Sequence, residues 1–353
     1  MDIKTFIGQK LNYINGILRV HIELSKPLKD KKDLNFTYEY YNPPKNPLDY
    51  LSKRYILYPL SSYFNSKRIK DDVVFNISFQ HLGDLGYFLN RNRTIITCAD
   101  IYIFIGKRKP WIIQKYLISG LKRCNYIMTI SDFTKNELIK FLGVPEEKIT
   151  VIKCGINREI FKPIPQNKIT DLTPLYPEYR KLLHVGTEIG RKDFLTLLKA
   201  LYILKKKEKK IKLIRVGTPS YPNLIKNLGL ENDVIYLTNI SDKRLIEIYN
   251  LCDFFVFPSL YEGFGLPGLE AAACGIPVIC SDIPVFREIY QNFPLYFPPK
   301  DYKTLANLIL ECSNDDSLKN QIIKKGIELA KKYSWKKSSE KYYKLAKYIV
   351  ENN

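Results

Sequence analysis

The sequence predicts an α/β protein made of two doubly wound, Rossmann-like domains. The chain has 353 residues, enough for two domains at roughly 100–200 residues each. Hydrophobic residues make up 45% and charged residues 26%, which is typical of a folded protein and too apolar for a disordered one. Short apolar runs alternate with helical patterns, and a polar, proline-bearing segment separates the two halves.

In the second half, five apolar runs have the composition of strands buried on both faces of a parallel sheet. The segment between the first two runs, Asp193–Leu204, repeats its apolar residues at helical spacing, and Asp193 is a suitable N-cap. Strands that alternate with helices in this way predict a doubly wound sheet. The runs are Leu182–Gly186, Ile211–Gly217, Val234–Leu237, Phe254–Phe257 and Pro277–Cys280.

The first half shows the same alternation less regularly. Its candidate strands are Val73–Ile77, Thr94–Thr97 and Tyr126–Ile130, and a capped helix is expected to start near Ser131. The segment Asn157–Pro177 is polar and contains several prolines. We therefore expect an N-terminal domain over residues 1–160, a linker over 161–178 and a C-terminal domain over 179–333.

The chain is strongly basic. Lys and Arg number 56 against 36 Asp and Glu, a formal net charge of +20. This balance favours anionic partners such as nucleic acid, anionic lipid headgroups or phosphorylated small molecules, although a solvated lysine-rich surface gives the same count. No helix-turn-helix, RNP or zinc-finger pattern is visible, so the positive charge is the only sequence feature that favours nucleic-acid binding.

Cysteine and histidine usage argues against a metal or redox site. The seven cysteines form no C-x-x-C pair and the histidines number only three, which favours free thiols in a reducing cytosol.

The first residues lack the apolar core of a signal peptide, and no run of 18 apolar residues occurs. We expect a cytoplasmic protein. The segment Lys107–Arg123, with basic ends and Trp111, is either a membrane-surface helix or an ordinary core helix.

The stretch Phe254–Asp282 is the most informative part of the sequence. A strand leads into a glycine-rich turn, then a helix from about Pro267, then another strand. The helix N-terminus offers backbone N–H groups and a positive dipole to a phosphate, and Gly263, Gly265 and Gly268 would allow a close approach. The same letters match the dinucleotide pattern G-x-G-x-x-G, but they occur late in the chain and lack the expected acidic residue about 20 positions later.

Two carboxylates frame this turn at an E-x7-E spacing, Glu262 in the loop and Glu270 in the first helical turn. A carboxylate accepts two hydrogen bonds and can hold the paired hydroxyls of a ribose or hexose. The turn thus suits a ligand with sugars on both sides of a diphosphate. The alternative is that Glu270 only favours the helix dipole and Glu262 is an exposed loop residue.

At this point the sequence resembles the retaining glycosyltransferases of family four. The block EGFGLPGLEAAACGIPVICSD is very similar to that family's signature. The resemblance implies a GT-B fold, in which two Rossmann-like domains face each other across a cleft, with a final helix at about 334–353 returning to the first domain. Further resembling segments follow the family's order: Tyr126–Asn136, Leu142–Phe161, Leu183–Asp193, Val234–Ser259 and Tyr333–Trp335.

The resemblance implies a hexosyltransferase-like enzyme that moves a sugar from a nucleotide-diphosphate-sugar to an acceptor hydroxyl. Lys192 matches the family lysine that neutralises the diphosphate. Thr187 replaces the family arginine after Gly186, and Arg191 could supply that charge.

For the donor's two sugars, the same matching gives Glu270 the ribose diol and makes Glu262 the catalytic carboxylate at the transferred sugar. The backbone of Gly263, Phe264, Gly265 and Leu266 would face that sugar or the β-phosphate. No D-x-D triplet occurs in the chain, so we expect diphosphate binding without a metal, and no cofactor, because the nucleotide-sugar is a substrate. A nucleotide-sugar epimerase or another enzyme on the same fold is the second interpretation.

The first domain departs from the family pattern. Ala99, in the stretch TCAD, stands where many relatives have a histidine, and only Gly16 remains of a Gly-Gly loop. We expect Asp100, as a second catalytic candidate, or His81 to take over the missing histidine's polar contacts beside the acceptor. The acceptor itself stays open among a lipid-linked glycan, a protein and a small molecule.

Overall fold

In the computed structural model the chain forms two compact units, Met1–Gly155 with Ser334–Asn353, and Ile156–Tyr333. The division follows Gly155, whereas the sequence suggested a boundary at residue 160. The structure describes residues 1–9, 16–31, 33–41, 58–67, 72–105, 111–165, 168–169, 176, 178–186, 190–208 and 210–353. Thr187 and much of the expected linker therefore lie outside the described residues.

The first unit has one parallel sheet. In its described part, six strands follow the order β2-β1-β3-β4-β5-β6, and every residue of β3 and β4 is buried, as their apolar composition predicts. The strands are β1 (Asp2–Gln9), β2 (Asn35–Tyr41), β3 (Val73–Ile77), β4 (Thr94–Cys98), β5 (Tyr126–Thr129) and β6 (Ile149–Val151).

Helices flank this sheet. The predicted helix near Ser131 is confirmed: the Ser131 hydroxyl accepts from the Thr134 N–H, and Gly143 ends the helix at a φ of 59°. The helices are α1 (Gly16–Ser25), α2 (Tyr58–Lys67), α3 (Tyr102–Ile105), α4 (Trp111–Arg123), α5 (Asp132–Leu142) and, at the end of the chain, α13 (Trp335–Glu351).

A buried polar network ties α1 to the sheet of the first unit. The Nδ1 atom of His21 accepts from the amide of Asn76 at 3.1 Å, and its Nε2 atom donates to the Ser78 carbonyl at 3.0 Å. The amide nitrogen can only donate, and this fixes the neutral tautomer. Burial lowers the pKa of His21 to about 4.

The second unit repeats the architecture. Its described residues form a parallel sheet in the order β12-β11-β10-β7-β8-β9, which confirms the predicted doubly wound α/β fold. The strands are β7 (Arg180–Val185), β8 (Ile211–Val216), β9 (Val234–Leu237), β10 (Phe254–Phe257), β11 (Val278–Ser281) and β12 (Leu295–Phe297). The helices are α6 (Phe194–Lys207), α7 (Pro222–Asn227), α8 (Asp242–Leu251), α9 (Leu266–Ala273), α10 (Pro284–Tyr290), α11 (Tyr302–Asn314) and α12 (Asp316–Ala330).

Strand order reverses once in each sheet. In the second unit β8 and β9 lie on one side of β7, while β10 lies on the other. The loops that follow β7 and β10 therefore leave adjacent strand ends in opposite directions, and the space between them is where open α/β sheets bind ligands. In the first unit the reversal falls between β1 and β3. Of the helices that the structure describes, none is long and apolar enough to span a bilayer.

Candidate functional site

Two loops meet at the strand reversal of the second unit. One follows β7 and contains Arg191 and Lys192. The other follows β10 and contains Glu262. The Leu260 N–H donates to the Arg191 carbonyl at 2.7 Å, and the Arg191 guanidinium donates to the Tyr261 carbonyl at 3.3 Å. Segments about 70 residues apart are thus joined by one backbone–backbone bond and one bond from a side chain to a backbone carbonyl.

Glu262 lies at the centre of this junction. Its Oε1 atom accepts from the Lys192 ammonium at 2.5 Å and from the Ser259 hydroxyl at 2.8 Å. Its Oε2 atom lies 3.7 Å from the Arg191 guanidinium. Glu262 is 6% exposed and Lys192 9%, so the alternative of an exposed loop glutamate is wrong. Lys192 also lies over the Phe257 ring, 5.2 Å from its centroid.

The site carries positive charge despite this pairing. Burial alone would raise the pKa of Glu262, but the charges of Lys192 and Arg191 and the hydrogen bonds from Lys192 and Ser259 hold that pKa below its ordinary value. Glu262 is therefore ionised at neutral pH. Two cations face one carboxylate among these residues, and the remaining positive charge suits an anionic ligand.

The glycine-rich turn is shaped by Tyr290 of α10. The Tyr290 hydroxyl donates to the Gly265 carbonyl, and Gly265 has a φ of 98°. A Cβ on Gly265 or on Gly268 would lie 2.3 Å from that hydroxyl oxygen. At these two positions, contact with Tyr290 gives glycine a packing reason besides the phosphate approach that the sequence suggested.

Glu270 lies beyond the first turn of α9, which contains no acidic residue. The expected position in the first helical turn is therefore wrong. Glu270 is 4% exposed, and its Oε2 atom accepts from the hydroxyl of Tyr249 on α8 at 3.0 Å. Tyr249 also reaches the Pro267 carbonyl at 3.3 Å, so it links the carboxylate to the start of the helix.

A buried pair of basic side chains lies behind the loop that follows β7. His184 and Arg215 face each other across β7 and β8, and Arg215 donates to His184 Nδ1 at 2.8 Å. Burial, and then the charges of Arg215 and Lys192, hold the pKa of His184 well below its ordinary value. A Cβ on Gly186 would lie 3.5 Å from the His184 ring and 3.7 Å from Lys192 Cε, so the His184 ring, which is bonded to Arg215, and the Lys192 side chain both lie close to Gly186.

The acceptor-side candidates follow neighbouring strands of the first unit. Gly16 begins α1, after β1, and residues 10–15, which precede it, lie outside the described part of the chain. His81 follows β3 and stacks on Phe79 at 4.1 Å between ring centroids. Ala99 and Asp100 follow β4, which is the neighbour of β3.

Buried Gln80 holds the two residues after β4 in place. It donates to the Asp100 carbonyl at 2.7 Å and accepts from the Ala99 N–H at 3.3 Å. Ala99 is 6% exposed, so its methyl group is buried within the first unit. The Asp100 carboxylate accepts from the Tyr102 N–H at 3.0 Å, at the start of α3.

Sequence reasoning missed Ser259, Tyr249, Tyr290 and Gln80, which hold the predicted site residues in place. For Ser259 and Gln80 the available signal was a position shortly after a strand, whereas Tyr249 and Tyr290 lie within helices and no local signal marked them. Among the residues that the structure describes, no three His, Cys, Asp or Glu side chains come close enough together to hold a metal ion.

Comparison with known families assigns both halves. The model described as Glycosyl transferases group 1 matches residues 166–329, and that described as Glycosyltransferase Family 4 matches residues 30–160. O-antigen chain mannosyltransferase B of Escherichia coli is 29% identical over 259 residues, 69% of this chain and 67% of that protein. O-antigen chain mannosyltransferase RfbU of Salmonella typhimurium is 31% identical over 230 residues, 63% of this chain. The matched region spans 61% of RfbU, less than two thirds of its length.

Solved structures agree on the architecture. The Anabaena HepE structure in complex with UDP-glucose superposes with a TM-score of 0.81 at 18% identity, covering 98% of this chain and 99% of that one. At this identity the likeness shows the fold alone, and it supports the expected GT-B architecture. The family matches favour a transferase over the epimerase and nucleic-acid-binding alternatives. The chain therefore belongs to the family 4 glycosyltransferases, with a group 1 glycosyltransferase domain as its second half.

Proposed function

We propose that the protein transfers a sugar from a nucleotide-diphosphate-sugar, bound by the second unit, to an acceptor hydroxyl. The observation that carries this proposal is the arrangement at the strand reversal. Lys192, Arg191 and Glu262 form one charged cluster there, and Glu270 lies on the helix that follows the glycine turn. Cations suit the diphosphate, and carboxylates suit the hydroxyls of the sugars on either side of it.

Each group then has a defined task. Lys192 and Arg191 stabilise the diphosphate, which gains charge as it leaves. The backbone from Gly263 to Leu266, at the N-terminus of α9, faces the β-phosphate or the transferred sugar. Glu270 holds the ribose diol, and Glu262 contacts the hydroxyls of the transferred sugar. Gly186 lets the loop after β7 approach the phosphates, and Thr187 beside it is part of the same proposed diphosphate site.

We propose that the reaction retains the configuration of the transferred sugar. The acceptor oxygen bonds to the anomeric carbon on the face from which the diphosphate leaves, the bond from that carbon to the phosphate oxygen breaks, and the acceptor proton passes to the leaving diphosphate. No enzyme nucleophile is needed in this route, which depends on positioning and charge. Proton NMR of the first product tests it. The donor's anomeric configuration should persist, and an inverted product would overturn the proposal.

We also propose that transfer needs neither a metal nor a cofactor, because Lys192 and Arg191 supply the charge that a cation would otherwise bring. Activity should survive dialysis against EDTA with less than about a twofold change. Complete loss, restored by magnesium or manganese, would overturn this part.

The names of the relatives suggest which donor sugar to test first. Two proteins with similar sequences are named O-antigen chain mannosyltransferases. We propose a hexose donor, with a nucleoside-diphosphate mannose as the leading candidate and UDP-glucose as the comparison. The acceptor is proposed to be a hydroxyl of a growing, lipid-linked glycan, approached by Gly16, His81 and Asp100 of the first unit, whereas buried Ala99 contributes no side-chain contact.

Helix α4 supports a contact with the membrane surface. Trp111 and Ile112 are 64% and 63% exposed, and the Lys115 ammonium lies over the Trp111 ring at 4.5 Å from its centroid. Exposed tryptophan beside lysine is typical of helices that lie at a lipid interface. This helix would bring the enzyme to a lipid-linked acceptor.

A ligand screen followed by a transfer assay tests the function. GDP-, UDP- and ADP-sugars are added to the whole protein, and the melting temperature is recorded, because a ligand that binds the native state stabilises it. We expect one nucleotide class to raise the melting temperature, and its labelled sugar to appear in a glycan product. Consumption of the donor into an isomeric nucleotide-sugar, with no transfer, would instead indicate an epimerase.

A further inference from the structure

The charged cluster has a property that diphosphate binding alone does not require. The Glu262 carboxylate is bonded to Lys192 and lies near Arg191, the same two cations that the proposed function assigns to the diphosphate. Phosphate oxygens at these cations would therefore meet a carboxylate that is already there. Like charges at such distances repel, and the repulsion is strong in a buried site.

The two possible nucleotide ligands affect this carboxylate differently. An intact donor brings the hydroxyls of its transferred sugar, which can donate to Glu262 as the cations turn towards the diphosphate. A spent nucleoside diphosphate has no such hydroxyls. Glu262 is 6% exposed, so water reaches it poorly, and loss of the Lys192 contact would leave a buried charge with fewer donors.

We propose that Glu262 is a specificity-determining residue that favours the intact nucleotide-sugar over the spent nucleoside diphosphate by competing for Lys192 and Arg191. The inference rests on the proposed function and deepens it. After transfer the sugar hydroxyls leave, Glu262 takes Lys192 back, and the nucleoside diphosphate loses its main cation. Selectivity here comes from a repulsive element against the wrong ligand as well as an attractive one for the right ligand.

Ser259 makes this competition persistent. Its hydroxyl donates to the same Oε1 atom that Lys192 contacts, and the Ser281 hydroxyl donates to the Ser259 carbonyl. Ser259 and Ser281 are both fully buried. The carboxylate is therefore held in place when Lys192 moves to a phosphate, and it stays close enough to compete for it.

Titration calorimetry with the whole protein tests the inference. The probes are the preferred nucleotide-sugar and its nucleoside diphosphate, added to the wild type, to Glu262→Gln and to Glu270→Gln. Glu262→Gln keeps the size of the side chain and removes its charge. We expect the nucleoside diphosphate to bind this variant about tenfold more tightly than the wild type, while the nucleotide-sugar gains nothing. Product inhibition of any remaining activity should strengthen in parallel.

Glu270→Gln is the matched control, because it neutralises the other buried carboxylate of the site. Both ligands contain the ribose that Glu270 is proposed to hold. The affinity of the variant for each ligand should therefore fall by a similar factor. Unchanged or weaker binding of the nucleoside diphosphate to Glu262→Gln would overturn the inference. So would a wild type that binds the nucleoside diphosphate more tightly than the nucleotide-sugar, a measurement that needs no variant.

Failure of the inference and failure of the proposed function give different results. If the folded wild type binds neither probe, nor any other nucleotide-sugar of the screen, the proposed function fails. If it binds both probes and Glu262→Gln shows no gain for the nucleoside diphosphate, only the competition by Glu262 fails.

Discussion

Glu270 shows how a single buried carboxylate can be tested at this site. Its Oε2 atom accepts from Tyr249 at 3.0 Å, which leaves the carboxylate further acceptor capacity for a ribose diol. Glu270→Ala should weaken donor binding by about 1.5–3 kcal/mol, or roughly 10- to 150-fold, as expected for hydrogen bonds to a charged acceptor. Titration calorimetry measures this change.

Tyr249→Phe should cost less, about 0.5–1.5 kcal/mol of donor binding, because it removes only a neutral donor that positions Glu270. Glu311→Ala, at an exposed acid of α11, is the charge-matched control and should bind the donor normally. Donor affinity that survives Glu270→Ala in a folded protein would contradict the ribose assignment.

At the level of single residues, the sequence predicted the charged groups of the site better than the residues that hold those groups in place. Glu262, Glu270 and Lys192 fall in recognisable motifs, and the structure places Glu262 and Lys192 in direct contact. Tyr249 lies 21 residues from Glu270, and Tyr290 lies 25 residues from Gly265. A local pattern carries no information on which distant tyrosine fills the space beside a turn, because that depends on how α8 and α10 pack.

Among the secondary-structure elements, the turn before α9 gives a sharp stability prediction. Gly268→Ala should destabilise the second unit by about 1–3 kcal/mol, because overpacking a buried contact forces neighbouring groups to move. The added Cβ would lie 2.3 Å from the Tyr290 hydroxyl oxygen and 2.5 Å from Cζ of its ring. The ring is held by stacking on Phe286. Denaturant unfolding followed by circular dichroism gives the comparison.

Gly190→Ala is the matched control for this substitution. It lies beside Arg191 in the same site, yet among the described residues, its chain neighbours aside, no heavy atom would lie within 4 Å of a Cβ there. Its unfolding midpoint should stay within error of the wild type. Equal stabilities for Gly268→Ala and Gly190→Ala would contradict the packing role assigned to Tyr290.

Helix α4 gives a prediction about lipid binding. Trp111→Ala combined with Ile112→Ala should lower the fraction of protein that sediments with vesicles containing anionic lipid by several-fold, because the exposed apolar surface is lost. Phe141→Ala, at a 55% exposed aromatic of α5, is the control and should leave sedimentation unchanged. Equal sedimentation of all three proteins would contradict an interfacial role for α4.

The strands and helices that were predicted are confirmed with shifts of up to three residues at their ends, but strands β1, β2, β6 and β12 were not predicted. The lysine-rich run Lys205–Lys212 shows where such predictions stop. Its composition suggests a solvated loop, but Lys205 ends up on α6 and Lys212 on β8, and both contact Asp233. Lys212 is only 7% exposed. The acidic partner lies 21 residues away from Lys212, so the local charge run could not reveal this buried pairing.

For the molecule as a whole, the unfolding of the first unit can be followed separately from that of the second. The chain has 2 tryptophans, Trp111 and Trp335, and both belong to the first unit. Tryptophan fluorescence therefore follows the unfolding of that unit. His21, in the same unit, has a pKa of about 4 instead of 6.5.

The sign of the pH effect follows from this lowered pKa. The unfolded chain binds a proton at His21 below about pH 6.5, whereas the folded unit resists it down to about pH 4, so stability present at pH 7 is lost as the pH falls through this window. Between pH 7 and pH 5 the contribution is about 2 kcal/mol, at about 1.4 kcal/mol per pH unit. Urea unfolding of wild type and His21→Gln measures it. The variant should lose that much less stability over the same interval, and identical pH dependence would contradict the buried neutral histidine.

The most direct test of the donor site is calorimetric titration of the preferred nucleotide-sugar into wild type and Lys192→Gln. Lys192 contacts Glu262 at 2.5 Å and is the cation assigned to the diphosphate. We expect saturable binding to the wild type and binding at least about tenfold weaker to the variant, whose circular dichroism spectrum should match that of the wild type. Equal affinity for the two proteins would contradict this assignment, because the diphosphate would then lie somewhere other than the strand reversal of the second unit.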